Sequence, residues 1–207
     1  MDPEVLIARI EKALSASLPG HNAHLKMEPS VRRTVSGHLP KKDGGVLILL
    51  YPYHGQMHCV FMRRAEYDGV HSGQVSFPGG LKEECDGSMT DTALREAQEE
   101  IGINASRVRV LGVLTPLHIP VSNIVVYPTV GFVSERPAFH IDPEEVQYLI
   151  EESLDILMDA SIIKSEKMII QGKEMDVPYY DVRGHHIWGA TAMMLSELID
   201  VLSGSDT

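Results

Sequence analysis

The sequence predicts a single mixed α/β domain, and three observations carry that prediction. Short apolar runs suited to strands recur between residues 46 and 133, a helical pattern with its own start and stop signals interrupts them at 88–102, and another helical pattern closes the chain at 187–202. A length of 207 residues, 43% of them hydrophobic and 23% charged, is ordinary for one sizeable core. Residues 1–42 are expected to form an N-terminal helix and an irregular extension, and residues 43–207 the main domain.

Taken in order, Val5, Leu6, Ile10, Leu14 and Leu18 share one face of a helix over residues 4–18, which Pro19-Gly20 ends. Residues 20–42 read as irregular and, with the helix before them, could offer a homodimer contact. Val46–Leu50 suits a buried strand, Tyr51–Gly55 a turn and Met57–Met62 the returning strand of a hairpin. Gln74–Phe77 is a short strand leading into Pro78-Gly79-Gly80. Ser88 and Asp91 have capping-box spacing, and Gly102 suits the left-handed stop of the helix between them. Residues 108–114 and 124–133 read as strands, with Pro128 suggesting an edge or a bulge in the second. Asp142 and Pro143 are expected to start a short helix, residues 154–158 to add one further turn, and residues 165–180 to form a hairpin about Gln171-Gly172-Lys173. An amphipathic helix with Ala190, Met194, Leu198 and Val201 on one face is expected over 187–202, with Trp188 in the core at its start rather than stacked on an adenine.

A formal net charge of −11 and the lack of a basic stripe argue against nucleic acid as a partner. No apolar run reaches membrane-spanning length, and the N-terminus lacks the pattern of a signal peptide. Cys59 and Cys85 have no metal-ligand or CxxC spacing and read as free thiols. The expected compartment is the cytoplasm.

The chemistry concentrates at residues 79–102. Glu96, Glu99 and Glu100 are spaced i, i+3, i+4, which places three carboxylates on one helical face. Such a cluster is costly without a cation, and its oxygen donors suit magnesium, with manganese as the alternative. Arg95 is expected to order the helix or loop through a carboxylate. Gly80 is expected to need close packing or a positive φ.

The order of glycine turn, acidic loop, Arg95-Glu96, Glu99-Glu100 and Gly102 resembles the signature of the Nudix family. Asp86 stands where that family has glutamate, one residue further from the arginine. This variation, with Gly73–Gly80 and Ile187–Ala192, is similar to the coenzyme A pyrophosphatase branch. The resemblance spans about residues 43–200. It implies an α/β/α sandwich with a mixed sheet, a metal-dependent hydrolase domain over 43–207, and a small-molecule nucleotide pyrophosphate as substrate. The implied reaction cleaves coenzyme A or a derivative to 3′,5′-ADP and 4′-phosphopantetheine. Arg64 and His71 fall on positions of an upstream element of the branch and, with Gly79 and Gly80, become substrate-binding candidates, but Gly69 replaces the second arginine of that element. The alternative substrates are therefore ADP-ribose, NADH or a nucleotide sugar, and a catalytically silent nucleotide-binding module is the other class.

Glu96, Glu99 and Glu100 are the metal candidates. Glu99, Glu100, Glu145 and Arg95 are the catalytic ones, with the general base open between Glu99 and a glutamate of the 144–145 pair. Asn123, with His118 and Ser122 in a loop framed by prolines, is a candidate for the base pocket or for local hydrogen bonds.

Overall fold

The computed structural model describes residues 3–30, 42–66, 68–69, 71–170 and 172–204. The irregular character expected of residues 31–41 lies outside the described residues. The elements are α1 (Pro3–Leu14), α2 (His21–Leu25), β1 (Lys42–Tyr53), β2 (Gln56–Arg64), β3 (Val75–Ser76), β4 (Gly79–Leu81), α3 (Met89–Ile101), β5 (Arg109–Val113), β6 (Leu117–Ile119), β7 (Ile124–Phe132), β8 (Val146–Ser153), α4 (Leu154–Leu157), β9 (Ile163–Ile170), β10 (Lys173–Val182), β11 (His185–Trp188) and α5 (Gly189–Gly204).

The main sheet is mixed. Its path runs β3-β2-β1-β7-β5, with β4 on β1, β6 on β7 and β8 on β2. β1 and β7 are parallel from Lys42↔Ile124 to Leu50↔Phe132, and the other pairings are antiparallel. Alternation along β1 and β2 sends Leu47, Leu49, Val60 and Met62 to the face covered by α3. Ile48, Leu50, Cys59 and Phe61 face the opposite way, into a larger core with α1 and α5. Helices on both faces of a mixed sheet give the α/β sandwich, and β9–β11 form a separate three-stranded sheet.

Several boundaries differ from expectation. α1 stops at Leu14 and buries Ile7, Ile10 and Leu14, while Val5 is exposed. α2 occupies part of the stretch expected to be irregular. Pro128 lies in an inner strand rather than at an edge. The β5 ladder on β7 begins at Thr129 and the β6 ladder ends at Val126, so the missing N–H falls in the break between them.

Asp142-Pro143 starts no helix. The Asp142 carboxylate accepts from Glu144 N–H in a turn, and the chain then enters β8, whose Val146, Tyr148 and Ile150 favour a strand. Ile187 and Trp188 belong to β11, formed by a tight turn with Arg183 at φ 53° and Gly184 at φ 84°. α5 starts at Gly189 and is buried continuously over 191–198 rather than along one stripe.

Candidate functional site

α3 is set against the sheet by local signals and by glycine. Ser88 Oγ accepts from Asp91 N–H at 3.1 Å, capping the first turn. Gly102 closes the last turn at φ 70°. A Cβ on Gly45 of β1 would lie 2.3 Å from Met89 O and 2.8 Å from Ala93 N, so the helix rests directly on strand backbone. β4 is equally tight. A Cβ on Gly79 would lie 2.4 Å from Gly45 O, and one on Gly80 would lie 2.4–2.5 Å from the carboxylate atoms of Glu96. Close approach thus accounts for both glycines of the turn.

Glu100 shares the helical face of Glu96 and Glu99 but is buried, at 1% exposure. Its Oε2 accepts from Gly79 N–H at 2.7 Å, and Arg64 Nη1 stands 3.4 Å from its Oε1. Burial pushes its pKa up to about 8 despite Arg64 and the Gly79 hydrogen bond, with Glu96 and Glu145 adding repulsion. Glu96, half-buried, is also raised, first by burial and then by Glu99 and Glu145, against the pull of Arg95. Glu99 turns outward and is exposed.

Arg95 ties these groups to the preceding loop. Its Nε and Nη2 each donate to the Asp86 carboxylate at 3.0 Å, and Nη2 also donates to Leu81 O at 3.1 Å. Nη1 lies 3.0 Å from Glu96 Oε1 and 2.9 Å from Glu99 Oε2. Asp86, buried and also bonded by Thr92 Oγ1, is held well below the usual carboxylate range, chiefly by the Arg95 hydrogen bonds. Asp86 is not among the site candidates read from the sequence, although its position nine residues before Arg95 is the available signal.

The remaining candidates are distributed more widely. Glu145 is exposed, close enough to raise both Glu96 and Glu100, and its carbonyl accepts from Ala65 N–H beside Arg64. His71 Nδ1 lies 3.2 Å from Gln74 Oε1, within its own loop. Asn123, at φ 54°, meets His118 Nε2 at 3.2 Å, and its carbonyl accepts from Lys42 N–H. That pairing fits the local-hydrogen-bond alternative for the loop.

Among the described residues, no three His, Cys, Asp or Glu side chains already form a metal cage. The donor chemistry nevertheless fits a hard divalent ion. Glu96 and Glu100 press against the glycine strand, where burial first and carboxylate repulsion second make them costly to ionise without a cation, and Glu99 is one helical turn from Glu96.

The NUDIX domain model matches residues 41–156. Over 176 residues the chain is 38% identical to a protein described as an uncharacterized Nudix hydrolase, NudL, from Pectobacterium atrosepticum, covering 84% of this chain and 88% of that one. It is 39% identical over 141 residues to a protein of the same description from Yersinia pestis, covering 68% and 70% respectively. The crystal structure of a Nudix hydrolase, RenU, from M. smegmatis superposes with a TM-score of 0.52 at 15% identity, covering 80% of this chain and 89% of that one, a likeness of fold. With the glycine strand, the capped glutamate helix and the family match in one place, the chain belongs to the Nudix hydrolase family.

Proposed function

We propose that the protein hydrolyses the pyrophosphate linkage of a nucleoside diphosphate derivative, and that coenzyme A or a derivative is its substrate, giving 3′,5′-ADP and 4′-phosphopantetheine. The observation that carries the reaction is the Glu96–Glu100 pair, held against Gly79-Gly80 where burial makes it costly to ionise without a cation. The substrate reading rests on the resemblance of the glycine segment and of residues 187–192 to the coenzyme A branch.

In this reading Glu96, Glu99 and Glu100 hold magnesium or manganese, with Glu96 and Glu100 as the inner pair. The bound ion supplies charge neutralisation at the two phosphorus centres and an acidified water. Gly79 N–H and Arg64 fix the Glu100 carboxylate, and Arg95, braced on Asp86, positions Glu96 and Glu99. Arg95 holds the same Glu96 and Glu99 oxygens that would ligate the metal, and would share or release them when it binds. Glu145, exposed and close enough to repel Glu96 and Glu100, is the preferred general base, with Glu99 as the alternative. Arg64, His71 and the glycine strand form the proposed substrate side.

Product analysis on coenzyme A with magnesium is the test. Appearance of 3′,5′-ADP and 4′-phosphopantetheine supports the reading. A second substrate class stays open because Gly69 replaces an arginine, so faster turnover of ADP-ribose or NADH in parallel assays overturns the coenzyme A assignment. Binding without turnover across that panel, with either metal, would instead favour a silent nucleotide-binding module.

A further inference from the structure

A cavity of about 330 Å³ opens between the end of β2 and the β10–β11 hairpin, with Arg63, Gly73, Val75, His185, His186 and Trp188 in its wall. It lies on the opposite side of β2 from the glutamates. Arg63 is paired in register with Val75, which belongs to the core facing α5, whereas the next residue, Arg64, reaches Glu100 on the α3 side. The cavity is therefore distinct from the glutamate cluster.

Arg63 has an unusual status in so acidic a chain. Arg64, Arg95, Arg107, Arg109, Arg136 and Arg183 all meet carboxylates, and Arg9 also has a partner. Among the described residues the Arg63 side chain has no hydrogen bond or ion pair, and its Nε is buried. Its Nη2 lies over Gly73, where an added Cβ would stand only 3.0 Å away, so the absence of a side chain there keeps the guanidinium accessible from the cavity. The Nη groups, facing Gly73 with no carboxylate on them, offer a planar donor pair that an oxyanion in the cavity fits.

The rest of the wall suits a flat ring. Trp188 is half-buried in the wall, and the His186 ring is fixed by stacking on Tyr179 at 4.1 Å and by Glu166 at 2.9 Å from its Nδ1. Glu66, near Gly73, and Glu166 are carboxylates at the margin, so an anion in the pocket would be held by Arg63 rather than by overall positive charge. The volume is at the small end of the ~300–1,000 Å³ typical of ligand sites.

We propose that this cavity is a second ligand pocket that takes a nucleoside monophosphate, with the phosphate on Arg63 and the base against Trp188. The proposal does not depend on the hydrolytic reading, although Gly73 and Trp188 fall in the two segments on which its substrate resemblance rests. Trp188 is the sole tryptophan of the chain, so its fluorescence reports directly on the cavity.

The test is a fluorescence titration of metal-free protein in EDTA, excited where adenine does not absorb, with AMP, adenosine and inorganic phosphate. AMP is expected to give a saturable change, adenosine to bind about tenfold more weakly or worse, and phosphate to compete with AMP. Arg63→Gln is expected to weaken AMP by about tenfold, while Glu100→Gln leaves AMP affinity unchanged. No saturable signal, equal affinity for AMP and adenosine, or loss of binding in Glu100→Gln but not in Arg63→Gln would each overturn the proposal. Comparing AMP with adenosine on the wild-type protein decides the matter even if Arg63→Gln does not fold.

Discussion

Glu100 combines burial, a backbone hydrogen bond and a raised pKa in one side chain. Replacing it with glutamine keeps the shape and the Gly79 N–H bond but removes the charge, so magnesium-dependent turnover on the substrate panel should fall by ~10²-fold or more. Unchanged turnover would remove Glu100 from the proposed machinery. The pH dependence has a defined sign. In the metal-free fold Glu100 keeps its proton up to about pH 8, whereas the unfolded group releases it near 4.5. The native state thus binds more protons across that window, and this group makes stability fall as pH rises from about 5 to 8. Thermal melts in EDTA should show a shallower decline for Glu100→Gln than for wild type. At this scale the sequence identified which residue types cluster, because helical spacing is local. It did not reveal that Glu99 turns to solvent while Glu100 is buried, since that division depends on where β4 passes α3.

α3 and the glycine strands form one mechanical unit. Gly45→Ala would place a methyl group 2.3 Å from Met89 O, and overpacking of this kind costs about 1–3 kcal/mol. Urea denaturation should show that loss, and the shifted helix should also lower activity. Ser88→Ala removes the first-turn cap and should cost about 1 kcal/mol with little effect on turnover at saturating magnesium. The same contrast explains what was readable among the elements. α3 announces itself through Ser88, Asp91 and Gly102, all local signals. β8 and β11 do not, because Asp142-Pro143 imitates a helix start and Ile187-Trp188 continues the apolar pattern of α5. Only their pairings, Phe61↔Ile150 and Tyr180↔Ile187, settle them as strands. Glu145 therefore leads into a strand, and that places it beside Ala65.

Across the whole molecule, distant parts of the chain meet at Glu197. This fully buried carboxylate on α5 accepts from Gly20 N–H at 3.0 Å and from Thr115 Oγ1 at 2.6 Å, and it pairs with His24 Nε2 at 2.9 Å. Burial alone would raise its pKa, but the hydrogen bonds from His24 and Thr115 outweigh that and leave it lowered. Its contribution to stability is therefore present above the ordinary carboxylate pKa and is lost as pH falls through the lowered value. Glu197→Ala would leave several buried donors without an acceptor and should cost about 3–5 kcal/mol, measured by chemical denaturation. The sandwich itself was legible from alternating apolar runs and helix signals. This clasp was not, because nothing near residue 20 or residue 115 points to a glutamate at 197.

The clasp also imposes an order on biosynthesis. Gly20 and His24 leave the ribosome early, yet their shared acceptor is made more than 170 residues later. At about 5–20 residues per second, that is an interval of roughly 9 to 35 seconds during which α2 lacks this anchor and the apolar face of α1 has no α5 to pack against. A segment synthesised well before α5 is thus among the last to dock. Nascent chains arrested before residue 197 should leave residues 20–27 open to protease, and extension past α5 should protect them.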